Sequence, residues 1–285
     1  MRAPPYLPFL SGPPGLTPGL KPIAAEDWLT PDTEANAWLA PKRALMQARR
    51  EEVFAAHGAE AEMVEAGQLV LAALGQGTPE ASWPTPLEAA SAEVSDDLCL
   101  MMRGDDGLWQ LQAASLCAPT FWRLSDKIGE PLGGLHAPVP GATPDLVRRI
   151  SRIFDGLQPG LMLERFNWTV QAGDARFTPS SAPLKALAGE APDEAALDVL
   201  HLRVERQTIT KLPETGAVLF TIRIVMDPLR AALLGEGAVD AFEAAWQGIT
   251  PEMADYKGWA AYQRLVRAAL DAARNPIRSR HTQTE

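Results

Sequence analysis

Residues 199–226, VLHLRVERQTITKLPETGAVLFTIRIVM, decide the fold, because they read as two long strands joined by a turn. Apolar and β-branched residues dominate both halves, and the KLPETG link supplies the Pro and Gly of a short connection. In the first half Leu202, Val204 and Arg206 alternate with Arg203, Glu205 and Gln207, so Arg203, Glu205 and Gln207 share one face of a strand. That face is read either as solvated or as a pocket lining. In the second half Arg223 lies among apolar neighbours, where an arginine takes an acidic partner or contacts a ligand.

Working outward, 161–171 reads as a third strand in which Glu164, Phe166 and Trp168 alternate with Arg165 and Asn167. Residues 97–115 form two apolar runs around GDDG, the pattern of a β-hairpin. Helices are predicted over 43–57, stopped by Gly58, and over 61–74. Another spans 144–157, where Leu146, Val147, Ile150, Ile153, Phe154 and Leu157 make one stripe behind a Thr-Pro start. Further helices are predicted near 228–234, 238–247 and 251–273. The order hairpin, helices, three strands gives an α+β chain with a five-stranded antiparallel sheet of PAS-like type and helical N- and C-terminal extensions. Residues 1–24, rich in Pro and Gly, are expected to form an extended surface arm, 25–275 a single domain, and 276–285 a mobile tail.

The 285-residue chain is 46% hydrophobic and 22% charged, the balance of an ordinary globular protein. A formal charge of -10 and the absence of clustered Lys and Arg argue against nucleic-acid binding. Prolines interrupt the N-terminus, no run reaches membrane-spanning length, and the expected location is cytoplasmic. Two cysteines, Cys99 and Cys117, cannot supply the four thiolates of an iron-sulfur cluster, and their apolar settings are those of reduced, buried thiols.

No phosphate-binding glycine loop, nucleophile elbow or zinc-protease motif is present. Four histidines, His57, His136, His201 and His281, are too scattered for a multi-histidine metal centre but suffice for a cofactor with one protein ligand. His57 reads as a helix end, His281 as part of the tail, and His201 as a strand-end residue with a minor claim to ligation. His136 lies in EPLGGLHAPVPG, between two glycines that remove bulk and two prolines that stiffen the chain. Read locally, it either caps carbonyls in a shaped turn or meets a flat ring at close range.

Three segments, APTFWRLSDKIGEPLGGLHAPVPG (118–141), LERFNW (163–168) and LRVERQTITKLPETGAVLFTIR (202–223), resemble the haem-dependent oxidative N-demethylase family in order and content. The likeness extends from GLKPIAAEDWL (19–29) into the C-terminal helices. It implies a PAS-like haem domain with His136 as the axial ligand of a haem b iron. It also implies a pocket drawing on Arg203, Glu205 and Arg206, with Asn167 and Trp168 beside it and Arg223 as a further cofactor contact. The implied reaction is monooxygenation of a small methylated amine such as dimethylamine, using O2 and releasing formaldehyde. Glu205, paired with Arg203 or Arg206, is the implied proton-transfer group. Electrons would come from a separate flavin and iron-sulfur reductase chain. A non-enzymatic PAS-type haem or small-molecule sensor is the alternative.

Overall fold

The computed structural model describes residues 2–15, 19–29, 33–77 and 83–275. Its centre is one antiparallel sheet of seven strands: β1 (Lys21–Ile23), β2 (Phe54–Ala56), β3 (Asp97–Arg103), β4 (Trp109–Ser115), β5 (Met162–Ala172), β6 (Leu200–Lys211) and β7 (Val218–Pro228). They lie side by side in the order β1-β5-β6-β7-β3-β4-β2. The five strands expected from the sequence are the five long ones in the middle. The expected count is corrected to seven by a short strand added at each edge.

Both additions arise where the chain was read differently. β1 belongs to the N-terminal arm and pairs Lys21 with Glu164 on β5. The arm is mostly exposed along its length but is pinned to the body, with Phe9 buried against Trp168 and Phe242 and Arg2 paired with Asp227. β2 falls inside the helix predicted over 43–57, which instead ends in a short turn at Arg50–Val53. At Phe54 the backbone becomes extended and pairs with Ser115, covering the edge of β4. An unpaired edge leaves donors and acceptors unsatisfied, so tertiary pairing outweighs the local helical pattern here. The tail 276–285, with His281, lies outside the described residues.

Strands β5, β6 and β7 pair over their whole lengths, with Asn167 opposite Glu205 and Arg206 opposite Arg223. Gly216 closes the β6–β7 turn at a φ of 74°, a conformation that glycine adopts without strain. Side chains opposite one another share a face, so this register fixes which polar groups can meet. One face carries Leu202, Val204, Trp168, Val170 and Val225, packed under the C-terminal helices Ala238–Gln247 and Gln263–Arg274. Trp246 and Trp259 stack there with ring centroids 4.0 Å apart. The same face carries Leu98, Leu100 and Leu219 beneath the helix Glu60–Ala73.

The other face carries Cys99, Met101, Leu111, Ile209, Leu163, Phe220 and Ile222. It is covered by the short helix Leu132–His136 and by Pro144–Gly156, whose N-cap Thr143 accepts from the Leu146 N–H. The helix predicted over 251–273 is broken into Pro251–Tyr256, a 3-10 turn at Trp259–Tyr262, and Gln263–Arg274. The break is at Gly258, with φ 66°, and it turns the chain back along the outer edge of β5. Trp259 donates to the Thr169 hydroxyl and Lys257 to the Trp168 carbonyl, so this segment shields an edge that β1 leaves open.

Candidate functional site

The predicted site residues divide between the two faces. Arg203, Glu205 and Asn167 point to the face beneath the His136 helix, together with Arg165 and Gln207. Trp168, Arg206 and Arg223 point to the opposite face, as the register requires. Trp168 belongs to the aromatic cluster under the C-terminal helices. Arg206 is bound to Glu164 and donates to the carbonyls of Asp27 and Trp28, each 2.6 Å away. Arg223 is bound to Asp96 at 2.9 Å. These three anchor elements to the sheet and do not meet Glu205 or His136, so the expected seven-residue cluster does not form.

Glu205 is the hub of the group that does form. It accepts from the Thr120 hydroxyl, from Asn167 Nδ2 at 3.2 Å and from Gln207 Nε2 at 2.7 Å. Burial disfavours its charge. The Thr120 hydrogen bond, the positive charges of Lys257 and Arg203 and the Asn167 bond outweigh this and hold the carboxyl below its usual range. A carboxylate has about four lone-pair positions, so three internal donors leave one for a ligand N–H.

Arg203, 0% exposed, has a different part. Its Nε donates to Thr120 Oγ1 at 3.0 Å, and its two terminal nitrogens reach Gln171 Oε1 and the carbonyls of Ala118, Pro119, Ala175 and Arg176. Burial brings its pKa down to about 10, against the charges of Glu205 and Asp97. It is therefore a clamp on segments 118–120 and 175–176, and through Thr120 it sets where Glu205 sits. Phe121, next in the chain, has φ 66°, the single non-glycine positive value among the described residues. Its N–H to Thr178 O bond, 2.8 Å, helps hold a conformation costing on the order of 1–3 kcal/mol.

His136 ends the helix Leu132–His136, and its Nδ1 lies 2.8 Å from the Leu132 carbonyl. A carbonyl only accepts, so Nδ1 carries the proton and the neutral ring keeps its lone pair on Nε2. Burial lowers its pKa; the Leu132 bond opposes this and the charges of Arg165 and Lys127 add to it. The imidazole is thus held neutral, in the tautomer that a metal ligand requires. Arg165, on the sheet face opposite Gln207, has its own pKa lowered by burial and raised by Glu205, and so lies within electrostatic reach of both His136 and Glu205. It donates to Gly15 O at 3.3 Å and has no ion-pair partner among the described residues.

Between these groups the sheet is incompletely covered. Leu163, Arg165, Gln207, Phe220 and Ile222 are half-buried, whereas Ile209, Ile224 and Cys99 around them are buried. Leu135, Val147 and Ile150 of the covering helices are half-buried in the same cluster. The other histidines stand elsewhere. His57 follows β2, with its N–H on Gln112 O, and His201 is tied through Nδ1 to Val199 O at the end of β6. Among the described residues no three His, Cys, Asp or Glu side chains gather to hold a bare metal ion. Cys99 and Cys117 are free and buried, and burial pushes the Cys117 thiol up to about 12.

Comparison with protein families assigns this arrangement: residues 76–267 match the haem-dependent oxidative N-demethylase, alpha subunit-like. The chain belongs to this family. The match spans more than half of the chain and contains all five long strands, His136, Arg165, Asn167, Arg203, Glu205 and Lys257. The edge strands β1 and β2 and the GLKPIAAEDWL segment lie before it. A haem-dependent family requires an iron ligand, an apolar slot and cations for two propionates. Those needs can be met by the neutral His136, the half-buried Leu163, Phe220 and Ile222, and Arg165 and Lys127, whose charges act on the imidazole, so the residues fit such a cofactor. Among the described residues, no helix is long and apolar enough to cross a membrane.

Sequence reasoning missed Thr120, Gln171 and Lys257, and saw Arg165 only as the alternate of Glu164. Thr120 lies within the resemblance segment 118–141, but nothing local marks its hydroxyl. Lys257 lies in a stretch read as uninterrupted helix, and the following glycine was its one available signal.

Proposed function

We propose that this chain is the haem-binding subunit of an oxidative N-demethylase acting on a small methylated amine of the dimethylamine type. The observation that carries the reading is His136, neutral with Nδ1 committed to Leu132 O, on the face that also holds Arg165 and Glu205. The order β4-β3-β7-β6-β5 of the long strands supports a PAS-like sheet. In this reading His136 Nε2 holds the iron of haem b, and Arg165 and Lys127 take its propionates. Leu163, Phe220 and Ile222 face the macrocycle.

When bound, haem supplies oxygen activation and the oxidation of a C–H bond of the N-methyl group. The overall step takes the amine, O2, two electrons and two protons to an N-hydroxymethyl product and water. The product then loses formaldehyde, and the nitrogen regains a hydrogen. The protein supplies binding and proton handling. Glu205 accepts the substrate N–H at its remaining lone pair, while Thr120, Asn167 and Gln207 fix the carboxylate plane so that the methyl group is oriented. The carboxylate then accepts the hydroxyl proton as the carbon–nitrogen bond breaks and returns a proton to nitrogen. Cys99 and Cys117 are free and buried and do not form a cluster site, and in this reading the electrons enter from a separate flavin and iron-sulfur reductase. The expected site of action is the cytoplasm.

Formaldehyde release from dimethylamine, with a reductase and NAD(P)H, tests the reading. Glu205→Gln is expected to retain the haem spectrum and to slow turnover roughly 100-fold or more, the usual contribution of a positioned acid–base group. Reduction and gas binding without formaldehyde from the native protein would overturn the enzymatic reading in favour of a sensor.

A further inference from the structure

The charge around Glu205 is unusual for a site that takes a cationic amine. Lys257, buried on the segment bent back by Gly258, donates to Asn167 Oδ1 at 3.2 Å and to the Trp168 carbonyl at 3.1 Å. The other end of the Asn167 amide donates to Glu205. One side chain thus bridges an ammonium and a carboxylate, and no carboxylate lies within ion-pair distance of Lys257 among the described residues. Burial brings the Lys257 pKa down to about 8, with Glu205 opposing the fall and Arg165 adding to it.

We propose that Lys257 is the resident counter-ion of Glu205 and competes with the substrate ammonium, so that amine binding expels a proton from Lys257. This rests on the amine-demethylase reading and names the residue that sets the pH dependence of substrate affinity. Two cations already attend Glu205, Arg203 and Lys257, with Arg165 nearby. Arg203 is fixed by its carbonyl partners and keeps its charge. Lys257 can lose a proton and, as a neutral amine with two N–H bonds, still donate to Asn167 Oδ1 and the Trp168 carbonyl. The other charged or titratable groups facing this region are Tyr256, its neighbour, whose pKa is raised by burial and by Glu205, and Lys185, whose Nζ approaches Gly258.

Below about pH 8 the lysine is charged and opposes a second cation at Glu205. Above it the lysine is neutral and the opposition ends. Affinity for dimethylammonium therefore rises with pH through this range, in the direction opposite to titration of the amine itself. Two like charges bridged by one amide and screened as near a protein surface repel enough to change affinity by roughly tenfold or more.

Calorimetry with dimethylammonium chloride at pH 7–8, in buffers of different ionisation enthalpy, counts the protons released. The native protein is expected to release a substantial fraction of one proton. Lys257→Gln keeps an N–H donor for Asn167 but no charge, and is expected to bind the amine about tenfold more tightly with no proton release. Lys257→Arg keeps a fixed charge and is expected to bind more weakly than native at pH 8, also without release. Unchanged affinity and proton release in Lys257→Gln would overturn the proposal while leaving the demethylase reading standing. Failure of the native protein to bind any methylated amine would remove both. NMR titration of the Lys257 side chain tests the coupling without ligand: Glu205→Gln should lower its pKa, and an unmoved value would also overturn the proposal.

Discussion

His136→Ala is expected to lose haem binding, seen as the absence of a Soret band after reconstitution and a drop in haem affinity. The loss should exceed the 10–100-fold typical when only a supporting hydrogen bond to a metal-bound histidine is removed. The reason lies in how the ring is held. Leu132 O fixes Nδ1 as the donor, burial keeps the ring neutral, and Nε2 is the remaining coordinating atom. His201 cannot replace it, since it stands four residues beyond Glu205 on β6, roughly 13 Å along the strand at ordinary strand rise. A companion variant separates ligation from folding: His136→Gln fills similar space and should fold as the native chain does, again without the band. An unchanged spectrum in either variant would remove His136 as ligand.

The parts of the fold that were legible in the sequence are those with strong periodicity. β3 to β7 and the helix at 144–156 follow from alternation, turn residues and a Thr-Pro start. The two edge strands were not legible, because three-residue strands carry almost no pattern and exist to cover edges created by the long ones. The C-terminal break at Gly258 was hidden for a related reason: a single glycine in a helical pattern reads as a tolerated cost, while its positive φ is set by the need to turn along β5. In the site, alternation along β6 correctly separated Arg206 from Arg203 and Glu205. The resemblance gathered them again by motif, and sheet register shows why motif proximity is not spatial proximity. Residues adjacent in LRVERQT face opposite cores. Lys257 and Thr120 reach Glu205 from distant segments, and only the tertiary structure brings them there.

This division by face also reassigns the arginines. Arg206 and Arg223 hold the Asp27–Trp28 segment and the entry to β3 to the far side of the sheet, through Trp28 O, Asp27 O and Asp96. Their loss is expected to affect folding before chemistry. The near face contains Arg203, fixed by its carbonyl partners, Arg165, and the titratable Lys257, with Glu205 at their centre and Asp97 as a second carboxylate acting on Arg203. Such a surplus suits a cofactor that brings carboxylates of its own and a substrate whose charge must be balanced as it enters.

The second large effect is expected at Arg203. Its guanidinium satisfies Thr120 Oγ1, Gln171 Oε1 and four carbonyls in a setting with 0% exposure, so Arg203→Leu leaves a set of buried acceptors without donors. It also removes a cation that offsets the charge of Glu205. Breaking buried charge networks from one side costs about 3–5 kcal/mol. For a chain of this size each kcal/mol lowers the melting temperature by about 2–4 °C, giving a fall on the order of 10 °C. Arg203→Lys should recover only part of it, because an ammonium cannot span acceptors placed for a planar fork. The measurement is thermal unfolding followed by circular dichroism, beside turnover. A catalytic Arg203 would give the opposite pair of results: near-native melting with turnover lost. Glu205→Gln, which retains an oxygen acceptor for Thr120, should melt much closer to native and lose activity instead. The contrast between these neighbours on one strand face separates the residue that shapes the site from the residue that acts in it.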